Sequence, residues 1–153
     1  MPRSTAIRAV VPADFAQWLP LWDAYNAFYG RSGATALADD ITRTTWVRFF
    51  DAAEPVHALV AERGAELIGL APYLFHRSTT SIAPTCYLQD LFTAAPARGT
   101  GVGRSLIGAV REAARAAGAT RLYWQTHESN ATAMRLYDGV AERSGFIVYR
   151  MPV

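Results

Sequence analysis

Asp90-Leu91-Phe92-Thr93-Ala94-Ala95-Pro96-Ala97-Arg98-Gly99-Thr100-Gly101-Val102-Gly103-Arg104-Ser105 is the stretch that decides the fold. It reads as the end of a strand, a glycine-rich turn and the first turn of a helix. Glycines permit tight bends and leave backbone N–H groups bare. A helix start adds unpaired donors and the positive end of a dipole. A strand, turn and helix in this order form a cradle for an anion, most simply a pyrophosphate.

Two common cradles fit poorly. A P-loop needs a lysine beside its last glycine to reach the terminal phosphates, and all fifteen basic residues of this chain are arginines. A dinucleotide fingerprint needs G-x-G-x-x-G and an acidic residue about 20 positions further on. Here Gly99, Gly101 and Gly103 alternate, and the downstream stretch is Gly118-Ala119-Thr120-Arg121.

Working outward, Tyr87 to Phe92 reads as the strand entering the turn and Gly103 to Ala117 as the helix leaving it. That helix carries an apolar stripe at Leu106, Ile107, Val110, Ala113, Ala114 and Ala117, with Gly118 as its C-terminal cap. Leu122 to Thr126 is a further strand. Asn130 opens a helix that carries Tyr137, and Gly145-Phe146 leads into a last strand, Phe146 to Met151. Upstream, Thr5 to Val10 is a first strand. An aromatic helix follows from Pro12, with Pro20 as a possible break. A second helix starts at Asp39 or Asp40 and runs to Asp51. Val56 to Glu62 and Leu67 to His76 form a hairpin about Arg63-Gly64-Ala65-Glu66, and Arg77 to Pro84 reads as a polar loop. Strands alternating with crossover helices imply an α/β fold with helices on both faces of the sheet.

Arg98, Gly101 and Gly103 also satisfy R-x-x-G-x-G. Asn130-Ala131-Thr132-Ala133-Met134-Arg135-Leu136-Tyr137, followed by Gly145-Phe146, fits N-x-x-A-x-x-L-Y…G-F. Together these resemble the coenzyme A loop and the helix signature of the GNAT superfamily of N-acetyltransferases. The strong motifs cover roughly residues 86 to 150; the first half matches by element order alone. The phrases Tyr87 to Phe92, Tyr123 to Thr126 and Arg143 to Phe146 are similar to a subgroup of small members that includes a yeast histone and polyamine acetyltransferase. The resemblance implies a GNAT fold, with a mixed sheet of about six strands and four helices, in one domain over residues 1–153. A typical member has two strands after the tyrosine helix. Only one is expected here, so a bare sheet edge and a homodimer or higher oligomer are expected.

Composition narrows the partners. With 153 residues, 51% hydrophobic, the chain is long enough for a real core. A net charge of +2, with arginines scattered, is too balanced for clamping a nucleic-acid backbone. No apolar run is long enough for a membrane span. Met1 to Thr5 lacks the apolar block of a signal peptide, and one cysteine excludes an internal disulfide framework. A cytoplasmic enzyme is expected, with Cys86 as a buried structural thiol. No histidine and cysteine spacing reads as a metal site.

Direct acyl transfer from a thioester needs a neutral amine, support for the oxyanion and a proton for the departing thiolate. The resemblance makes acetyl-CoA the co-substrate and a small-molecule amine the acceptor. It gives the backbone of Leu91, Phe92 and Thr93 to the pantetheine arm and thioester carbonyl. It gives Arg98, Gly99, Thr100, Gly101, Val102, Gly103, Arg104 and Ser105 to the pyrophosphate. Asn130, Ala131 and Thr132 line the cofactor arm, and Tyr137 both contacts the cofactor and serves as general acid. A phenol near pKa 10 retains its proton at neutral pH. For the base, Asp90, Glu128 and His127 remain alternatives. Trp22, Asp23, Tyr25, Tyr29 and Gln89 are the candidate acceptor contacts, the aromatics serving a cation as well as a core. A protein lysine or N-terminus as acceptor, or a non-catalytic acyl-CoA-binding module, are the alternative functions.

Overall fold

A computed structural model describes residues 3–153; of the opening stretch Met1 to Thr5, the first two residues lie outside the described residues. The elements are β1 (Thr5–Ala9), α1 (Phe15–Phe28), α2 (Asp39–Arg48), β2 (Val56–Arg63), β3 (Glu66–Ser78), β4 (Ser81–Leu88), β5 (Phe92–Thr93), α3 (Val102–Ala116), β6 (Arg121–Tyr123) and α4 (Ala131–Val140). The sheet runs β1-β2-β3-β4-β6, and β5 also pairs with β3. All pairings are antiparallel except β4 with β6.

Period-2 alternation in β2 and β3 creates two cores. Ala58 and Val60 join Trp18, Trp22 and Tyr25 of α1 on one face. Leu59 and Ala61 join Leu106, Ile107 and Val110 of α3 on the other. Gly69 marks where α3 crosses the sheet, since an added Cβ would lie 3.1 Å from Leu106 Cδ1 and 3.2 Å from Val102 Cγ1. The α1 face is aromatic: Trp18 is fully buried and stacks on Trp22 at 5.1 Å. Cys86 is fully buried, and burial pushes its thiol up to about 11, leaving it inert.

The β2–β3 hairpin turns on Gly64 and Ala65, both at positive φ, the geometry of a two-residue turn matched to strand twist. Pro20 does not split α1. It forfeits one hydrogen bond, to the carbonyl of Ala16, which is exposed to solvent.

Several expected boundaries move. Arg77 to Pro84 is not a loop: β3 and β4 continue to a tight turn, with Ser78 opposite Ser81 and His76 opposite Thr85. Ser and Thr there form a solvated hairpin arm, where polarity does not signal a loop. The helix expected to reach Asp51 ends at Arg48 and turns off through Phe49 and Phe50. The strand expected over Leu122 to Thr126 is Arg121–Tyr123, because its neighbour β4 ends at Leu88. The expected Phe146 to Met151 strand is absent: residues 141–153 form no ladder and lie exposed. The sheet still has six strands because the single strand expected over Tyr87 to Phe92 is divided between β4 and β5.

Candidate active site

The division between β4 and β5 builds the centre of the site. Leu88 pairs with Tyr73 and Phe92 with Leu70, so four steps on one strand face three on the other. The surplus is a bulge at Gln89-Asp90-Leu91, where Gln89 and Asp90 both direct their N–H groups to Pro72 O, at 3.1 and 3.4 Å. β4 meets β6 only from Thr85 to Tyr87. Beyond that the chain swings to β3 as β5. Among the described residues no strand pairs with the far side of Phe92 and Thr93. Just past β6, Thr126 Oγ1 is buried without a partner. A parted sheet with an unpaired inner edge and an orphaned hydroxyl can receive an amide-bearing chain.

The glycine-rich turn lies at the end of this opening. Gly99 has φ +75° and Gly101, the residue capping α3, has φ +87°. A Cβ at either would meet nothing within 4 Å, so backbone conformation rather than space demands glycine there. The loop is pinned from behind: Thr100 Oγ1 donates to Ala97 O at 2.6 Å, and Arg63 Nη2 donates to Thr100 Oγ1 at 3.2 Å. Arg98 folds over Phe92, with Nε donating to Thr93 O at 3.1 Å. Among the described residues the N–H groups of Gly99 through Arg104 have no acceptor, whereas Ser105 N donates to Gly101 O at 3.0 Å. Consecutive free amides at a helix start fit a pyrophosphate. Arg104 and Ser105 sit exposed on the same first turn.

α4 flanks this turn. A Cβ on Gly103 would come 3.2 Å from Leu136 Cδ2, so the two helices meet closely. Asn130 caps α4, its Oδ1 accepting from Ala133 N at 3.4 Å, with Ala131 and Thr132 exposed in the first turn. Tyr137 lies edge-on to Trp124 at 5.5 Å. Burial, reinforced by the Tyr29 phenol, pushes Tyr137 up to about 12.

Across the bulge, Tyr25 Oη donates to Asp90 Oδ1 at 2.5 Å, joining residues 65 apart in sequence. Burial raises Asp90 to about 6, against the opposing pull of the Tyr25 bond and the Arg31 charge. Tyr29 packs edge-on to Tyr25 at 5.2 Å. Burial and the Asp90 charge raise its pKa as well. Tyr29 thus lies within electrostatic reach of both Asp90 and Tyr137.

Arg31 was not singled out in the sequence. Its Nε donates to Asn26 Oδ1 at 2.7 Å, and its guanidinium lies 5.8 Å from the Tyr25 ring and 5.5 Å from the Tyr29 ring. Buried Asn26 is itself held by Trp22 O at 2.9 Å. Among the described residues neither Nη of Arg31 has a hydrogen-bond partner, and no direct ion pair closes between Arg31 and Asp90. The available signal was an arginine bracketed by Gly30 and Gly33 directly after the aromatic helix.

The remaining candidates are not drawn into this cluster. Trp22 is buried in the aromatic core, its Nε1 donating to Thr42 Oγ1 at 3.2 Å. Asp23 is exposed, and two residues before Tyr25 it points to the opposite side of α1. Gln89 is exposed at the bulge, and Glu128 is exposed on the turn between β6 and α4. His127 is engaged locally, its Nδ1 accepting from Ser129 N at 3.2 Å, with Ser129 Oγ at 2.6 Å.

A parted sheet, an amide-lined turn at a helix start and a half-buried phenol on the flanking helix form the candidate site in an α/β frame. Residues 18–140 match the Acetyltransferase (GNAT) family, and the chain belongs to that family. The D-amino-acid N-acetyltransferase HPA3 of Saccharomyces cerevisiae is 32% identical over 147 residues, covering 94% of this chain and 88% of the yeast protein. An aminoglycoside acetyltransferase, HMB0005, from an uncultured soil metagenomic sample shares the fold with a TM-score of 0.81 at 20% identity, covering 98% and 99% of the two chains. A ribosomal-protein-alanine N-acetyltransferase from Brucella melitensis biovar Abortus 2308 does so with a TM-score of 0.78 at 17% identity, covering 98% and 99%. The chain is an N-acetyltransferase of the GNAT family, and membership implies acetyl-CoA as co-substrate. No helix among the described residues is long and apolar enough to cross a membrane.

Proposed function

We propose that the enzyme acetylates the α-amino group of a free amino acid or a closely related small zwitterion. The observation that carries this reading is the placement of Asp90 and Arg31 at one aromatic wall, Asp90 bonded to Tyr25 and Arg31 lying over the Tyr25 and Tyr29 rings. Asp90 takes the proton of the acceptor ammonium; a base near pKa 6 is ionised at neutral pH and still a competent proton acceptor. Arg31, held only through Nε, offers two Nη groups to the acceptor carboxylate in fork geometry. Tyr25 holds Asp90 in place. The name of the yeast relative, a D-amino-acid N-acetyltransferase, supports the same acceptor class.

The neutral amine nitrogen attacks the thioester carbonyl carbon, the carbon–sulfur bond breaks, and the second proton that the nitrogen sheds on becoming an amide passes to solvent. The N–H groups along the free side of Leu91, Phe92 and Thr93 polarise the carbonyl. Tyr137 gives its proton to the departing sulfur and regains one from solvent; its raised pKa keeps the phenol protonated beforehand. The amides of Gly99 through Arg104 hold the pyrophosphate, with Arg98 and Ser105 beside them. Asn130 and the first turn of α4 border the pantetheine arm.

The test is thiol release from acetyl-CoA with amino acids of both hands, matched amines lacking the carboxylate, polyamines and lysine peptides, using wild type and Arg31→Leu. Amino acids should outperform their decarboxylated counterparts. Arg31→Leu should raise KM for amino acids by about 10–100-fold, the loss of one charge-assisted pair, and leave the matched amines nearly unchanged. Equal turnover of both classes, or release with peptides alone, sinks the amino-acid reading.

A further inference from the structure

Arg63 closes strand β2 at the edge of the hairpin turn. The alternation that sends Leu59 and Ala61 to the α3 face sends Arg63 there as well. Its cross-strand neighbour on β1 is Thr5. Arg63 Nε and Nη2 donate to Thr5 Oγ1 at 3.0 and 2.9 Å, and Nη2 also donates to Thr100 Oγ1 in the glycine-rich turn at 3.2 Å. All these partners are hydroxyls. The adjacent acid, Glu62, alternates to the other face and accepts from Arg8 Nε at 3.1 Å. Among the described residues Arg63 forms no ion pair.

Thr100 is engaged from two sides. Its hydroxyl donates to Ala97 O at 2.6 Å and accepts from Arg63. Ala97 is buried in the core under α3. One hydroxyl therefore ties the turn to the core and, through Arg63, to two strands of the sheet. Its hydrogen is spent on Ala97, which leaves the Thr100 amide for a ligand. Arg98 is held at Thr93 O, but the glycines after it have no such hold. A Cβ at Gly99 or Gly101 would meet nothing within 4 Å, so packing does not fix the turn there. A loop that must be ordered as its ligand arrives loses affinity by the cost of ordering it.

We propose that Arg63 is the positioning residue of the phosphate turn. From β2 it holds the Thr100 hydroxyl, so that the amides of Gly99 through Arg104 converge before the cofactor arrives. This rests on the reading of those amides as the pyrophosphate site. Arg63 acts through Thr100, and its loss should be felt in cofactor affinity.

Calorimetric titration of CoA into wild type, Arg63→Met, Thr100→Val and the double variant tests this without any acceptor. Each single change should raise Kd by about 5–30-fold, the scale of one charge-assisted hydrogen bond. The double variant should bind no more weakly than the weaker single, because both remove one contact. Losses that add, or wild-type affinity in Arg63→Met, overturn the proposal. Gly101→Ala, titrated alongside, separates it from the reading beneath it. If Gly101→Ala weakens CoA and Arg63→Met does not, the pyrophosphate site stands and Arg63 has no part in it. If neither weakens CoA, both fall. Acetyl-pantetheine, a donor without the pyrophosphate, excludes a merely structural effect. The preference for acetyl-CoA over acetyl-pantetheine in kcat/KM should drop by about 5–30-fold in Arg63→Met. An equal loss on both donors overturns the positioning role. Thr5→Val unhooks Arg63 on the β1 side and leaves Thr100 intact. It should raise Kd for CoA by about 2–5-fold, and an unchanged Kd overturns the proposal even if Arg63→Met does not fold.

Discussion

The two sides of the candidate site are built from different materials. The proposed phosphate side is backbone: consecutive N–H groups from Gly99 to Arg104, bent by two left-handed glycines. The proposed acceptor side is side chain: Tyr25 and Tyr29 from the end of α1, Arg31 from the loop after it, and Asp90 from a bulge. Backbone donors recognise a group common to every reaction of the family. Side chains on such a wall can be replaced one at a time to change the acceptor. The two sides should therefore fail differently, the first in cofactor affinity and the second in chemistry and specificity.

The largest expected effect is on the side-chain half. Asp90→Asn removes the proposed base while retaining an acceptor for Tyr25 Oη, and should lower kcat/KM by about 10²–10⁴-fold. In wild type, kcat/KM should rise as pH climbs through about 6, as Asp90 loses its proton, and then level off. That rise should vanish in the variant. A pH–rate profile that keeps its limb in Asp90→Asn would move the base elsewhere, with exposed Glu128 the next choice. Tyr137→Phe should cost less, about 10–10³-fold in kcat with little change in KM, because a thiolate is already a tolerable leaving group. A KM effect alone would make Tyr137 a wall of the cofactor channel instead of an acid.

The same contrast explains what could be read from the chain. Arg98 to Ser105 and Asn130 to Tyr137 are contiguous, and local geometry translates each directly into a turn or a capped helix. The Tyr25–Asp90 bond joins positions 65 apart, so no local pattern announces it. Both residues were candidates, but the contact that makes them one unit comes from the register of β3 with β4 and β5. Arg31 was invisible because its role depends on Asn26 and the two tyrosine rings converging on it. Trp22 and Asp23 read alike as wall residues until helix phase put one in the core and the other in solvent. The Phe146 to Met151 segment has strand composition, but a strand also needs a neighbour, and composition does not say whether one is in reach.

A change confined to the backbone half should give the complementary pattern. Gly101 caps α3 at φ +87°. Alanine there pays the left-handed penalty of about 1–2 kcal/mol, or the loop relaxes and its amides disperse. Gly101→Ala should raise KM for acetyl-CoA by roughly 5–30-fold while leaving the pH limb near 6 in place. Loss of that limb would show that the two halves are coupled.

The smallest effect is a gain of stability at the residue whose loss costs the most activity. Asp90 has its pKa raised to about 6 by burial, against about 3.9 in the unfolded chain. Below the unfolded value the carboxyl is protonated in both states and contributes nothing unfavourable. Between the two values the folded state holds a proton that the unfolded state releases, so stability falls as pH rises. Above about 6 the full penalty of an ionised buried carboxylate is present, on the order of 3 kcal/mol. Asn carries no such penalty. The melting temperature of Asp90→Asn relative to wild type should rise by roughly 4–8 °C between pH 4 and pH 8, read on cofactor-free protein by calorimetry. A difference that does not move with pH would mean that Asp90 is not the group titrating there. It would also detach the activity limb near pH 6 from the carboxylate that Tyr25 holds, leaving the acceptor half of the site without its base.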